Sequence, residues 1–255
     1  MKIGEESAAH ASKDFSTLHK IVAWSVHFFT MTGLLWAILA INALYTENIK
    51  EMWIWLVISL VVDAADGPMA RKARVKDVLP HFSGAMVDNI VDYITWTLIP
   101  AMFIMQCLPL GPGYLPFIAG AFILVSSMFC YANTLMKSND WYFVGFPATW
   151  NVIAVIMWLF SVPMWLNWIV IVVFSALAVI PWKWVHPFRV KKFRAVTATF
   201  AIIWTGTTAW LIAVYPENPA WLVILWLISG LWIVFVGLLR TFFPVFMSTQ
   251  HSTHE

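Results

Sequence analysis

Apolar residues run along this chain in long blocks separated by short polar or Gly- and Pro-bearing breaks, without the strict alternation of half-buried strands. A hydrocarbon core about 30 Å thick takes about 20 apolar residues per helix. The blocks at 21–45, 52–72, 84–107, 116–137, 147–161, 163–181, 195–215 and 220–241 therefore predict about eight transmembrane helices. The fifth is short, and the division of 147–181 into two spans decides whether the count is even. Breaks fall at 46–50, at 108–116 with Gly111 and Gly113, at 161–163 and at 215–219. Connections are too short to form separate domains, and no fixed-period repeat is visible. The fold class expected is all-α: a polytopic integral membrane helix bundle in one domain, 1–255, with a six-helix core over 21–181 and two additional C-terminal helices over 195–241. Phe15 and Leu18 in the polar leader predict an interfacial amphipathic helix over 9–20. The first apolar block is too long for a signal-peptide core and reads as a retained span.

Composition agrees: 61% of the residues are hydrophobic and 11% charged, where soluble domains carry about a quarter charged residues. A mean hydropathy of +0.79 and 17 Trp suit a bilayer, and a net charge of +2 argues against nucleic acid as a partner. Cys107 and Cys130 lack metal-ligand spacing and receive no role. Lys and Arg gather on the cytoplasmic side of membrane proteins. With the N-terminus inside, 13 of the 15 Lys and Arg fall on that side, Arg71 sits at its edge and Lys50 alone falls outside. An even number of spans makes both termini cytoplasmic.

Four carboxylates interrupt the second and third spans: Asp63, Asp66, Asp88 and Asp92. Each costs about 2.5–3.5 kcal/mol at a span centre, so their presence points to function. At about 100° per residue, Asp63, Asp66, Gly67 and Ala70 share one stripe of the second helix, and Gly84, Asp88 and Asp92 line one face of the third. The short connector makes these helices antiparallel neighbours, so four carboxylates are expected to converge near the cytoplasmic face. Packed together they would repel one another unless a cation of high charge density neutralised them. Hard oxygen donors without His or Cys select Mg²⁺ or Mn²⁺, and four carboxylates suit one or two ions. Such a site beside a basic loop suits a substrate bearing phosphates. Pairing of the carboxylates with Arg71, or a proton or cation pathway, is the competing reading. The small residues beside the acids favour close approach of a ligand over a closed ion-pair network.

Residues 63–92 spell D-x2-D-G-x2-A-R-x12-G-x3-D-x3-D. This resembles the signature of the CDP-alcohol phosphotransferase family, membrane enzymes that displace CMP from a CDP-linked alcohol with a second alcohol. All eight fixed positions match: Asp63, Asp66, Gly67, Ala70, Arg71, Gly84, Asp88 and Asp92. The family usually has eight residues between the Arg and the second Gly, whereas this chain has twelve, Lys72 to Ser83. The longer spacing and the eight-span count resemble the bacterial branch that joins choline to CDP-diacylglycerol in the inner membrane. The resemblance implies Asp63, Asp66 and Asp88 as metal ligands, with Asp92 joining a second ion and serving as general base. It implies Gly67, Ala70, Arg71 and Gly84, together with Asp66, as the nucleotide pocket, and His27-x-x-Thr30-x-x-Gly33 as the stretch that closes over the nucleotide. Relatives often carry Asn at the position of His27, so a histidine satisfied inside the bundle is the alternative there. It also implies a homodimer.

Choline carries a permanent cation and would seek aromatic faces. Trp141, Tyr142, Phe143, Phe146 and Trp150 lie on the expected side, and Trp24, Tyr93 and Trp96 stand near the same end. Lys183, His186 and Arg189 lie at headgroup depth and are candidates for the phosphates of CDP-diacylglycerol, whereas Lys191, Lys192 and Arg194 suit orientation. The expected reaction is attack by the choline hydroxyl on the diacylglycerol-bearing phosphorus, with CMP as leaving group and membrane lipids as surroundings. Alternatives that share the motif use serine, glycerol phosphate or inositol phosphate as acceptor, or transfer phosphocholine from CDP-choline. An alternative from another class is a cation- or proton-coupled transporter.

Overall fold

A computed structural model describes residues 15–132, 142–180, 183–185 and 193–242. Side chains of 142–144, 183–185, 194, 240 and 241 are not among those described. Every apolar block becomes a helix. Helices α1 (Thr17–Met31) and α2 (Gly33–Tyr45) form one 29-residue helical segment, because Thr32 between them keeps helical angles. The interfacial helix expected over 9–20 thus merges into α1 from Thr17, and residues 9–14 lie outside the described residues. The second block is α3 (Ile49–Lys72). A short α4 (Val75–Val78) occupies the long connector. The third block is α5 (Gly84–Asp92), a π-helical stretch Tyr93–Leu98, and α6 (Ile99–Cys107). The remaining blocks are α7 (Leu115–Ala132), α8 (Trp150–Leu159), α9 (Met164–Leu177), α10 (Arg194–Val214) and α11 (Ala220–Phe242).

Among the described residues, six helical segments are long and apolar enough to cross a membrane: Thr17–Tyr45, Ile49–Lys72, Gly84–Cys107, Leu115–Ala132, Ala195–Val214 and Ala220–Leu239. Six of the about eight expected spans reach full length; α8 and α9, with 10 and 14 residues, are shorter than the about 20 a straight span needs. Helix α8 is short because it is interior: Trp150, Ile153, Ala154, Val155, Met157 and Leu159 are all buried. The chain leading into it, 146–149, is irregular, and such backbone survives in an apolar medium only when its polar groups are bonded within the protein. The Phe146 amide donates to the Leu177 carbonyl at 2.8 Å and the Thr97 hydroxyl to the Ala148 carbonyl at 3.3 Å.

Hydrogen bonds gather four of the sequence breaks at one end of the bundle. Lys50 Nζ donates to the Ala213 carbonyl, Gln106 to Leu44, Asn167 to both Pro109 and Val162, and Asn218 to Leu159. The breaks at 46–50, 108–116, 161–163 and 215–219 therefore lie together, so α8 and α9 run in the directions required of alternating spans despite their length. An exception to the all-helical expectation sits at the other end. Strands β1 (Tyr142–Val144) and β2 (Lys183–Val185) pair antiparallel, with Phe143 opposite Trp184. The pair sets 142–144 of the aromatic stretch beside 183–185 of the basic one.

Helix α1 is the wedge of the catalytic-motif region, packing on α3, α4 and α5. Val75 and Val78 of the connector bury against Ala23 and Val26 of α1, with Phe15, Ala70, Ala73 and Leu79 around them. Arg74 bridges Asp77 at 2.8 Å and lies 5.7 Å from the Phe15 ring centroid. Gly33 matters through close approach: a Cβ there would stand 2.5 Å from Val91 Cγ1, one residue before Asp92. The C-terminal pair is tied together by Trp226 Nε1 donating to Thr208 and Trp232 Nε1 donating to Thr197.

Gly33→Ala is expected to destabilise the protein by about 1–3 kcal/mol, the usual cost of overpacking a stiff neighbour. Val91→Ala combined with it should return most of that loss. Thermal unfolding of the detergent-solubilised variants checks both, and equal Tm values for Gly33→Ala and the parent would remove the contact from the packing.

Candidate active site

Depth along the helices brings the acids together. At 1.5 Å per residue, Asp63 lies about 14 Å from the end of α3 and Asp92 about 12 Å from the start of α5. Asp66 and Asp88 lie about 9 and 6 Å from the same ends. Antiparallel helices joined by a short connector therefore hold these residues at matching depths. One carboxylate oxygen from each of Asp63, Asp88 and Asp92 lies within 4.8 Å of the others. Asp92 is hydrogen-bonded to Asp63, and its Oδ1 is buried with no hydrogen-bond partner.

Asp66 departs from the expected convergence of four. It is 7% exposed and turned to α1, with its carboxylate beside Thr30. Its charge still acts on Asp92. The expected direct neighbours α3 and α5 are also only sparsely in contact; each packs on α1 instead. The two acid-bearing helices are therefore set apart, each seated on α1. Exposed Met69, Met86 and Ile90 flank the acid-bearing faces on the outside.

The donor set fits a hard divalent cation. Three carboxylate oxygens within 4.8 Å are close to the spread of about 3–4 Å that oxygens take around Mg²⁺ or Mn²⁺. The unpartnered Oδ1 of Asp92 supplies a buried acceptor in need of a positive charge. No Lys or Arg occurs between Lys76 and Lys137, so α5, α6 and α7 bring no basic side chain to it.

At the connector end, His27 is 3% exposed and its Nε2 is buried without a partner. Its ring lies over Gly84, where an added Cβ would stand 2.6 Å from Cε1, so the Gly is required by the histidine. Phe82 and Trp24 complete an aromatic group, 4.5 and 5.9 Å from the His27 ring. Ser83 caps α5 by accepting from the Met86 amide. On α3, the Arg71 guanidinium curls back to within 3.3 Å of where a Cβ on Gly67 would be, and half-buried Ala70 packs on the connector.

Of the aromatic candidates, Phe146 and Trp150 are 2% and 0% exposed and packed on each other, and Trp150 Nε1 donates to Ser127. Neither ring is open to a ligand, which corrects the expectation for these two. Tyr142 and Lys183 are placed by backbone alone, in β1 and β2. Trp141, His186 and Arg189 lie outside the described residues. Tyr93 is at the acidic cluster, and with it stands a residue the sequence reading passed over, Tyr131 of α7. The two rings meet edge to face at 5.4 Å, and Tyr131 lies close enough to Asp92 and Asp63 to feel both charges. Phe82 was passed over as well. Its only sequence signal was its place in the four extra connector residues, and that of Tyr131 its place toward the cytoplasmic end of the fourth apolar block.

No protein-family model matches the chain. Among curated proteins, it is 41% identical over 199 residues to a phosphatidylcholine synthase of Pseudomonas aeruginosa, covering 78% of this chain and 83% of that one. It is 39% identical over 191 residues to a phosphatidylcholine synthase of Mesorhizobium japonicum, covering 75% and 71%. It is 36% identical over 198 residues to that of Agrobacterium fabrum, covering 78% and 82%.

If the three clustered carboxylates form a cation site, Mn²⁺ titrated into the purified protein will bind saturably, as read by loss of its free paramagnetic signal. Asp88→Asn should weaken that binding by at least tenfold, and Asp77→Asn, on the exposed connector, should leave it unchanged. Equal binding by all three proteins would place the ion elsewhere.

Proposed function

The chain belongs to the phosphatidylcholine synthase family, and on that footing we infer that it transfers the phosphatidyl group of CDP-diacylglycerol to choline, releasing CMP. The observation that carries this reading is the cluster of Asp63, Asp88 and Asp92 at the connector end of two membrane helices, in a chain with such relatives. A transporter built on the same carboxylates is not favoured by those relatives.

The site would hold Mn²⁺ or Mg²⁺ through Asp63, Asp88 and Asp92, with Asp66 available to a second ion. When bound, the ions supply positive charge at the pyrophosphate and polarise its oxygens. The protein's own part is positioning. Gly67 and Gly84 leave room for the Arg71 guanidinium and the His27 ring to lie close over the backbone, Arg71 offers a planar fork to phosphate, and Thr30 and His27 close the α1 side. Asp92 would accept the choline proton on the carboxylate oxygen that does not hold the ion. The choline oxygen forms its bond to the diacylglycerol-bearing phosphorus as the bond from that phosphorus to the CMP oxygen breaks, and CMP leaves as an anion. Holding the two substrates in line removes the entropy of their encounter. Lys183, His186 and Arg189 are the proposed contacts of the lipid phosphates, with Trp141 and Tyr142 as proposed aromatic neighbours. Eight membrane crossings, cytoplasmic termini, an active site on the cytoplasmic face of a bacterial inner membrane, and a homodimer complete the reading.

Purified protein given CDP-diacylglycerol, Mn²⁺ and labelled choline is expected to form labelled phosphatidylcholine and CMP in equal amounts. Asp92→Asn should lower turnover by at least about a hundredfold, the scale of a lost general base, while CDP-diacylglycerol still binds. CMP release with serine or glycerol phosphate but none with choline would sink the acceptor. Retained turnover in Asp92→Asn would remove the base.

A further inference from the structure

We propose that Tyr93 and Tyr131 form the cage that receives the quaternary ammonium of choline, and that Tyr131 sets the preference for a cationic acceptor. The proposal rests on the choline reading above and adds the residues that select it.

The length of choline decides among the aromatic groups. Two carbons separate its oxygen from its nitrogen, so the two atoms are at most about 4 Å apart. With the hydroxyl about 2.7 Å from the Asp92 carboxylate, the nitrogen lies within about 7 Å of that carboxylate. A useful ring face then stands within about 6 Å of the nitrogen. The group of Trp24, His27 and Phe82 gathers at Gly84, about 12 Å along α5 from Asp92, and is a poor match for so short a tether. Phe146 and Trp150 are closed in the core. Tyr93 follows Asp92 directly, and Tyr131 is within reach of the charges of Asp92 and Asp63.

Their arrangement also suits a cation. The ring planes stand at 80° to one another with centroids 5.4 Å apart, so the two rings form a corner. The Tyr93 hydroxyl donates to the Leu124 carbonyl of α7 at 3.5 Å, and Tyr131 lies beside Thr97. Thr97 reaches that position from the π-helical stretch and also donates to Ala148. The ring orientations are therefore fixed by three helices before any ligand arrives. With no Lys or Arg from 77 to 136, the helices that carry the two rings bring no cation of their own to the corner.

The test compares choline with 3,3-dimethylbutan-1-ol, its uncharged isostere, as acceptors for CDP-diacylglycerol. Tyr131→Leu, which keeps bulk and removes the π face, should raise KM for choline at least tenfold and shrink the choline-to-isostere preference by a similar factor. Its KM for CDP-diacylglycerol should stay at the parent value, which also reports a folded protein. Tyr131→Phe, which keeps the face and loses the hydroxyl, should give a smaller rise of about threefold. Should Tyr131→Leu fail to bind the donor, Tyr93→Leu decides by the same ratio. An unchanged choline KM and an unchanged preference in the folded variant would overturn the cage while leaving the reaction intact. A parent protein inactive with choline but active with another acceptor would overturn the acceptor reading instead.

Discussion

Carboxylates inside a hydrocarbon medium must be neutralised, and the architecture of this protein follows from meeting that demand in one place. Asp63, Asp88 and Asp92 bring oxygens within 4.8 Å of each other from two helices that barely touch. Two helices held apart cannot define such a cluster themselves, so a third must set their spacing. Helix α1 does this, contacting Asp66 through Thr30 and lying over Gly84 through His27, and its continuation α2 begins by pressing Gly33 against Val91. The long connector closes the arrangement from below by burying Val75 and Val78 on the same helix. Small residues occur where α1 meets α5 because the backbones must come close.

The π-helical stretch after Asp92 links the acidic cluster to the rest of the bundle. An ordinary helix would keep one face toward α3 all the way to Cys107. Widening at Tyr93–Leu98 shifts the register, so that Thr97 meets both Tyr131 of α7 and the Ala148 carbonyl of the irregular chain before α8. Such widenings are frequent at functional sites. Here it lets one helix present carboxylates to the cluster in its first half and bond the interior chain in its second.

Much of this was legible in the sequence, because hydropathy in blocks and charges out of place are strong signals. All eight apolar blocks are helices, and the breaks at 46–50, 108–116, 161–163 and 215–219 meet at one end as alternation requires. The i, i+3 and i, i+4 spacing of the acids placed them on shared faces. What was not legible depended on tertiary partners. Asp66 shares the stripe of Asp63, yet it lies beside Thr30 of α1. The shortness of α8 reflects its burial, which an apolar block cannot reveal, since lipid-facing and core residues look alike. Phe146 and Trp150 read as a cation cage by type and position but serve the core, where Ser127 takes the indole hydrogen. Phe82 and Tyr131 belong to no motif, and only the packing of neighbouring helices gives them a place.

Met69 on α3 and Met86 and Ile90 on α5 are exposed, so the outer surface of the two acid-bearing helices is as greasy as the rest of the lipid-facing surface. A donor with two acyl chains then reaches the acids sideways, by diffusion in the plane of the sheet of lipids, while a small charged alcohol arrives from water. The two substrates obey different concentration scales. For the donor the governing quantity is its mole fraction among neighbouring lipids, so inert phospholipid added to the same vesicles slows the enzyme by surface dilution even when every bulk concentration is held constant.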